Sequence, residues 1–246
     1  MKVALFVPCY IDQFYPNVAV ATLELLEKLR VEVVFPRGQT CCGQPMANAG
    51  FEHLTKKNAS KFIEDFNNCD YIVSPSGSCV LHVKEHLHAD GPETMETAVG
   101  IRKKIFELTE FLTDVVGVKS LPAKFSHKVG LHQSCHGQRG LHLSQMSELV
   151  APNFSKPAQL LKLVEGLELV NLDRSDECCG FGGTFCVSEE AISVKMGKDR
   201  VRDHLQHDAE FITGNDMSCL MHLEGILRRQ GSDVKVMHIA EILNSQ

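Results

Sequence analysis

A chain of 246 residues, 43% hydrophobic and 23% charged, has the composition of a folded globular protein and not of a disordered one. Its formal net charge of −6, without a cluster of Lys and Arg, argues against nucleic-acid binding, which requires a basic surface. The apolar runs are too short to cross a bilayer and no signal-peptide pattern precedes Asp12, so we expect a cytoplasmic protein without a transmembrane segment.

The first half of the sequence predicts strands separated by helices, and each early strand leads to cysteine. The segments are a strand at residues 2–8, a helix and a strand within 23–36, a helix over 53–66, a strand over 70–73 and a last segment at 107–112. The cysteines follow as Cys9, Cys41-Cys42-Gly43 and Ser78-Cys79.

The second half repeats this order. Residues 128–135 match 2–9, 160–173 match 23–36, 191–206 match 53–66, 210–213 match 70–73, and 238–243 match 107–112. Cys-Cys-Gly recurs at Cys178, and Ser-Cys recurs at Ser218. We therefore predict an internal duplication, with one half over residues 1–122 and the other over residues 123–246.

The alternation of strands and helices predicts an α/β fold of two tandem, internally duplicated parallel-sheet (Rossmann-like) halves. Ligands of such sheets bind outside the carboxyl ends of the strands, where these cysteines fall. The sequence therefore predicts two cysteine-rich halves that face a shared cleft.

Eight of the ten cysteines obey the repeat, which is not expected of cysteines that only fill a core. Four thiolates at one place can bind zinc or an iron-sulfur cluster. Structural zinc sites usually contain close pairs such as Cys-x-x-Cys, and neither half has one. This favours one iron-sulfur cluster per half, held by Cys9, Cys41, Cys42 and Cys79 in the first and by Cys135, Cys178, Cys179 and Cys219 in the second.

Two local features are expected to aim the sulfurs. Adjacent side chains on a strand face opposite sides, so Cys-Cys-Gly requires a turn, which Gly43 and Gly180 would provide with a positive φ. Ser78 and Ser218 are predicted to cap the helices that follow, which would put the next cysteine of each half in a first helical turn, where a thiolate is favoured.

Four motifs are particularly specific: Cys-Cys-Gly-Gln-Pro at 41–45, Ser-Pro-Ser-Gly-Ser-Cys at 74–79, Cys-Cys-Gly-Phe-Gly-Gly-Thr-Phe at 178–185, and Val-Met-His-Ile-Ala-Glu at 236–241. With them, the chain resembles the cysteine-rich CCG-domain family over essentially its whole length. That family includes the cysteine-rich component of heterodisulfide reductase, the iron-sulfur component of glycolate oxidase and, most similar to this chain, lactate-utilisation iron-sulfur proteins of the LutA/YkgE type.

The resemblance implies an iron-sulfur electron-transfer component of a multi-subunit system that oxidises L-lactate to pyruvate. Such a chain would be a subunit of an oxidoreductase, an L-lactate dehydrogenase complex of the LutABC type. It would act with LutB-like and LutC-like subunits, and L-lactate is the small hydroxy acid that the system would take.

The chain departs from its heterodisulfide reductase relatives, which complete each motif with Cys-x-x-Cys, because His82 and His222 stand at the second position. A 4Fe-4S cluster with four thiolates per half is therefore the simpler prediction, and we expect aerobic purification to remove it. His82, His222 and Cys186 are candidates for extra ligands, against the alternatives of solvated helix faces and packing. Cys69 is interpreted as a packing residue.

The sequence assigns no catalytic residue. His132, His136 and Arg139 surround Cys135 and are candidates to bind a carboxylate substrate or to tune a cluster, against the alternative of a polar cleft rim. Two other functions stay open: a metal-free thiol-disulfide redox protein and a zinc-binding structural subunit of the same complex.

Overall fold

The computed structural model describes residues 1–246, in which helices and strands alternate. The first half contains β1 (Lys2–Leu5), α1 (Cys9–Phe14), α2 (Pro16–Lys28), β2 (Glu32–Val34), α3 (Gln44–Asn48), a 3-10 turn (Glu52–Thr55), α4 (Lys56–Phe66), β3 (Tyr71–Ser74), α5 (Gly77–His86), α6 (Pro92–Lys104), β4 (Ile105–Glu107), α7 (Leu108–Glu110) and a π-helical turn (Phe111–Val116). No helix of the chain combines the length and the apolarity that crossing a bilayer requires.

The second half follows the same order with fewer helices. It contains β5 (Lys128–His132), a π-helical turn (His136–Gly140), α8 (Lys156–Leu161), β6 (Glu168–Leu169), α9 (Phe185–Ser188), α10 (Glu190–Gln206), β7 (Phe211–Gly214), α11 (Met217–Arg229), β8 (Lys235–His238) and α12 (Ile239–Leu243). Helix α6 of the first half has no counterpart here, because α11 leads directly to β8.

The strands form two parallel four-stranded sheets, in the orders β2-β1-β3-β4 and β6-β5-β7-β8. The predicted α/β fold of two Rossmann-like halves is confirmed. In both sheets the strand order reverses beside the first strand of the half, β1 or β5. This reversal is the switch point at which doubly wound sheets bind their ligands.

One apolar core crosses both halves. It buries side chains of β1 and α2 together with side chains of β5, α11 and α12. Helix α12 packs on α2, where the Asn244 side-chain amide donates a hydrogen bond to Glu24 Oε2 at 2.6 Å. Along the sequence, the strands of the first sheet end before residue 122 and those of the second begin after residue 123. The division of the chain into two domains at that point stays a prediction.

The predicted helix caps are wrong by two residues. Helix α5 begins at Gly77 with Ser76 as its N-cap, and Ser76 Oγ accepts a hydrogen bond from the Cys79 N–H at 3.4 Å. Helix α11 begins after Asp216, so Ser78 and Ser218 lie inside the first turns of their helices. The serine directly before each cysteine was predicted to be the N-cap. In the structure, the polar residue two positions before that serine, Ser76 or Asp216, has the extended backbone of an N-cap residue.

Candidate functional site

A cleft of about 270 Å³ lies between the two halves, at the carboxyl ends of the strands. Seven of the eight repeated cysteines line it: Cys9, Cys42, Cys79, Cys135, Cys178, Cys179 and Cys219. The eighth, Cys41, lines an adjoining pocket with Cys9, and the two Sγ atoms are 3.6 Å apart. The structure therefore brings the predicted cysteines together along one cleft.

Within each half, the four thiols form a continuous chain of contacts. The first chain runs from Cys9 to Cys41, Cys42 and Cys79, and the second runs from Cys135 to Cys178, Cys179 and Cys219. All ten cysteines are free thiols. Each chain draws its members from the start of the helix or helical turn after the first strand, from the Cys-Cys-Gly loop and from the helix after the third strand, so three separated segments meet at each switch point.

The two Cys-Cys-Gly loops contain the predicted turns, since Gly43 has a φ of 91° and Gly180 has a φ of 86°. The turn aims the glycine N–H back at the first cysteine of its pair. Gly43 N lies 3.4 Å from Cys41 Sγ, and Gly180 N lies 3.4 Å from Cys178 Sγ. A second amide, that of Phe181, donates to Cys179 Sγ at 3.4 Å. These N–H groups stabilise negative charge on the sulfurs.

Each chain of thiols concentrates negative charge on one sulfur. Hydrogen bonds from Cys42 and Cys9 lower the pKa of Cys41 to about 2, and hydrogen bonds, chiefly that from Cys135, lower the pKa of Cys178 to about 2. The pKa values of the donors Cys9 and Cys135 are raised, because their protons are held by the neighbouring thiolate. A bound cation would stabilise further thiolates in the same place, so each set has the chemistry of a thiolate metal site.

Different side chains hold the two Cys-Cys-Gly loops. In the first half, Gln39 accepts from Val7 N at 2.7 Å and donates to Leu5 O at 3.2 Å, which ties the loop to the end of β1. In the second half, Asp203 of α10 accepts from the backbone N–H of Asp173 and Arg174, both at 3.1 Å. Sequence reasoning missed these residues, because loop-holding amides and carboxylates carry no spacing signal.

The starts of α5 and α11 face each other and join the two halves beside the cleft. Asp216, the N-cap residue of α11, accepts a hydrogen bond from Ser78 N of α5 at 2.8 Å, and Gly77 N donates to Asn215 O at 3.1 Å. Cys79 and Cys219 lie in these first turns, as expected. The positive ends of two helix dipoles thus meet at the cysteines.

The three candidates around Cys135 have separate environments. His136 lines the cleft, with Nδ1 4.0 Å from Cys135 Sγ. Arg139 is not among the lining residues, and its guanidinium pairs with Glu148 at 2.6 Å. His132 is buried behind the cleft, where one of its ring nitrogens and the Sγ atoms of Cys179 and Cys219 all lie within 4.8 Å of one another.

The candidates for extra ligands also differ. His82 is buried, and that burial lowers its pKa to about 4. His222 Nε2 lies 3.4 Å from Ser193 O, and Cys186 Sγ donates to Gly183 O at 3.0 Å. None of the three lines the cleft, and whether any of them binds a metal stays a prediction.

The CCG family, described as a cysteine-rich domain, matches residues 3–84 and 129–224. Lactate utilization protein A of Bacillus subtilis is 44% identical over 248 residues, which cover 100% of both chains, and that of Exiguobacterium sp. is 46% identical over 247 residues, which cover 99% of this chain and 97% of the relative. A hypothetical protein from Helicobacter pylori has a similar structure, with a TM-score of 0.55 and 14% identity, over 98% of this chain and 48% of that one. This structural likeness bears on the fold alone.

Proposed function

The chain belongs to the cysteine-rich CCG family and, within it, to the lactate utilization protein A family, and from this premise we propose that it is an iron-sulfur electron-transfer component of a system that oxidises L-lactate to pyruvate. One observation carries the proposal. Two equivalent chains of four contacting thiols occupy the two switch points and open on the same cleft. Their equivalence supports one cluster in each half.

The donor sets fit such clusters. Four cysteine sulfurs per half are the usual ligands of a 4Fe-4S cluster, and the glycine-turn N–H groups and helix starts around them favour thiolates and sulfides. When bound, a cluster supplies one-electron storage and transfer. Oxidation of a hydroxy acid to a keto acid releases two electrons and two protons, and two such centres would accept the two electrons one at a time.

The residues of this chain would hold the centres and shield them. The rings of Tyr10 and Phe181 line the cleft beside the cysteines and limit the access of water. His136 lines the cleft beside Cys135, with Nδ1 4.0 Å from Cys135 Sγ, so it is placed to exchange a proton with a substrate there. We propose His136 as the residue that any hydroxy acid in the cleft would contact first.

The proposed assembly includes LutB-like and LutC-like subunits, and the cytoplasm is its proposed compartment, where thiols stay reduced. Val187, which is 82% exposed, lines the cleft, and Phe14, which is 67% exposed, packs beside the cleft residue Tyr10. These two side chains offer apolar surface to an electron-carrying partner.

A structural zinc ion in each half is the second candidate. Sulfurs around a tetrahedral zinc, each about 2.3 Å from the ion, lie about 3.8 Å apart. The 3.6 Å between Cys9 Sγ and Cys41 Sγ is close to that spacing. A zinc ion would be compatible with the same fold and the same positions of the cysteines, but it would have no redox activity.

Iron and acid-labile sulfide content, measured with electron paramagnetic resonance on protein purified without oxygen, separates these functions. We expect about eight iron and eight sulfide per chain and a signal on reduction. Cys42→Ser and Cys179→Ser should each lose about half of the iron. Cys69→Ser is the matched control, because the Cys69 thiol is bonded to Phe66 O at 3.2 Å, outside the cleft. Stoichiometric zinc without a redox signal, or full turnover without metal, would refute the proposal.

A further inference from the structure

The two halves differ behind their cysteines. In the first half Phe6, just after β1, packs edge-on against Phe62 and Phe66 of α4, with ring centroids 5.0 and 5.6 Å away. All three rings are buried. The first cysteine set therefore has an apolar wall that offers no hydrogen-bond donor.

The second half has polar side chains in the corresponding wall. His132 is the residue that matches Phe6 in the repeat, and Arg200 and His204 stand one helical turn apart on α10, as Phe62 and Phe66 do on α4. Arg200 Nε donates to His204 Nε2 at 3.1 Å, and both residues are fully buried.

His132 is 1% exposed, and neither of its ring nitrogens has a hydrogen-bond partner. Burial, with the nearby charge of Arg200, keeps the imidazole neutral and lowers its pKa to about 3. A buried polar group without a partner is unfavourable, so such a group in a native protein calls for a function or a missing partner. The sulfurs of Cys179 and Cys219 lie within 4.8 Å of a ring nitrogen of His132 and can serve as hydrogen-bond acceptors.

We propose that His132 is a positioning residue for the second cysteine set, whose ring N–H donates a hydrogen bond to the sulfur of Cys179 or Cys219 when iron is bound. The proposal rests on the proposed iron-sulfur function. Metal binding replaces the proton of each thiol, so the sulfur gains negative charge and becomes a stronger acceptor. The bound cofactor would thus give His132 a partner that the metal-free thiols do not supply.

This hydrogen bond makes the two centres inequivalent. A donor at a cluster sulfur stabilises the reduced state, which carries one more negative charge, and raises the reduction potential. Phe6 cannot donate at the equivalent place. The second centre therefore has the higher potential, and a single electron passes from the first centre, which is oxidised, to the second, which is reduced, without transfer of any atom.

A redox titration followed by electron paramagnetic resonance, on the full chain purified without oxygen, tests the inference. In the unaltered protein we expect two midpoint potentials. His132→Phe, which installs the residue of the first half, should lower the higher potential towards the lower one and leave the lower one in place. His132→Gln keeps an N–H donor and should fall between the two, while Phe6→Leu, an apolar exchange at the matching position, should leave the gap unchanged.

Thermal unfolding gives a second readout that needs no activity. His132→Phe removes an unpartnered imidazole from the metal-free protein and should raise its Tm, whereas in the iron-loaded protein it removes a hydrogen bond, and the gain should shrink or reverse. Two clusters whose potentials do not respond to His132→Phe or His132→Gln would overturn this inference and leave the proposed function standing. Absence of iron from the unaltered protein would overturn both.

Discussion

Gly180 is the residue on which the shape of the second Cys-Cys-Gly loop depends. Its φ of 86° is in the left-handed region, and a Cβ there would lie 2.7 Å from Met196 Cβ and 2.8 Å from Ser193 O. The loop has no room to move away, because one of the two obstacles is backbone of α10. A side chain at this position would therefore push Cys178 and Cys179 out of line.

We predict that Gly180→Ala lowers the free energy of unfolding by more than the ~1–2 kcal/mol that a left-handed conformation costs an L-residue. Gly50→Ala is the matched control, since Gly50 has a φ of 85° with nothing within 4 Å of the added Cβ. Urea unfolding of both variants measures the difference, and iron content should fall in Gly180→Ala alone. Equal losses of stability in the two variants would contradict the clash.

At the level of single residues, the sequence predicted the cysteines and glycines that recur in both halves. It missed functional or buried residues that occur in one half only. Spacing identified the cysteines and the two glycine turns, because the duplication displays each of them twice. Arg200 is fully buried, although arginine on a helix is normally solvated, and nothing in its neighbourhood of the sequence signals that. Its burial depends on α10 crossing behind β5, which is a tertiary property.

The first residues of α5 and α11 also differ from the sequence prediction, again because a tertiary contact contributes to the helix starts. Asp216 stands at the N-cap of α11, but one of its carboxylate oxygens accepts from Ser78 N of α5 and the other from Ser218 Oγ at 2.8 Å. A cap supplied by the other half cannot be found from a local motif. The extra helix α6 was missed as well, because the repeat offers no partner for it.

Asp216→Ala is expected to lower the free energy of unfolding by about 1–2 kcal/mol, the usual cost of a lost helix cap, because Ser78 N would stay buried without a partner. Asp216→Asn retains an oxygen acceptor and should cost less. Chemical denaturation followed by circular dichroism checks the order of the two variants. An Asn variant as unstable as the Ala variant would show that the negative charge, and not the hydrogen bond, is what α5 requires.

Glu107 ends β4 and is the N-cap residue of α7; it is fully buried, with Oε2 accepting from Thr109 N at 2.7 Å. Burial raises the pKa of Glu107 from 4.5 to about 8. Between these values the folded protein keeps a proton that the unfolded chain releases, so stability contributed by Glu107 is present below pH 4.5 and falls as the pH rises to about 8.

We predict that Glu107→Gln, which keeps the acceptor and removes the charge, stabilises the protein at pH 8 by up to a few kcal/mol, given about 1.4 kcal/mol per pKa unit. At pH 4 the advantage should vanish, since the carboxyl is then neutral in both states. Unfolding free energies of the two proteins at both pH values provide the measurement. A gain that is independent of pH would assign it to packing and not to ionisation.

At the scale of the whole molecule, the duplication explains the two sheets but not how closely they are joined. The shared core, the contact of α12 with α2 and the facing helix starts all involve residues from both halves. The sequence predicted a common cleft from the position of cysteines at strand ends. It did not predict a common core, because the apolar faces of the helices do not reveal which sheet covers them.

Several buried histidines must become charged when the chain unfolds in acid. Burial lowers the pKa of His132 to about 3 and those of His82 and His238 to about 4, from an ordinary value of 6.5. Below pH 6.5 the unfolded chain binds protons that the folded chain refuses. Stability contributed by these residues is therefore complete above pH 6.5 and is lost as the pH falls towards 4. Burial lowers the pKa values of His204 and His222 as well, so five histidines act in this direction, against Glu107 and Glu241, whose raised pKa values act in the opposite direction over part of this window.

We predict that Tm falls steeply below pH 6.5 and that His238→Asn makes this fall shallower, because the variant takes up about one proton fewer when it unfolds. His238 caps α12, with Nδ1 accepting from Ala240 N at 3.1 Å, and Asn is a good N-cap residue, so the helix start is retained. His53→Asn is the matched control, since His53 is exposed. Calorimetry from pH 4 to pH 7.5 yields the slopes. If His53→Asn flattened the curve as much as His238→Asn, the burial of His238 would not be the origin of its contribution to the acid sensitivity.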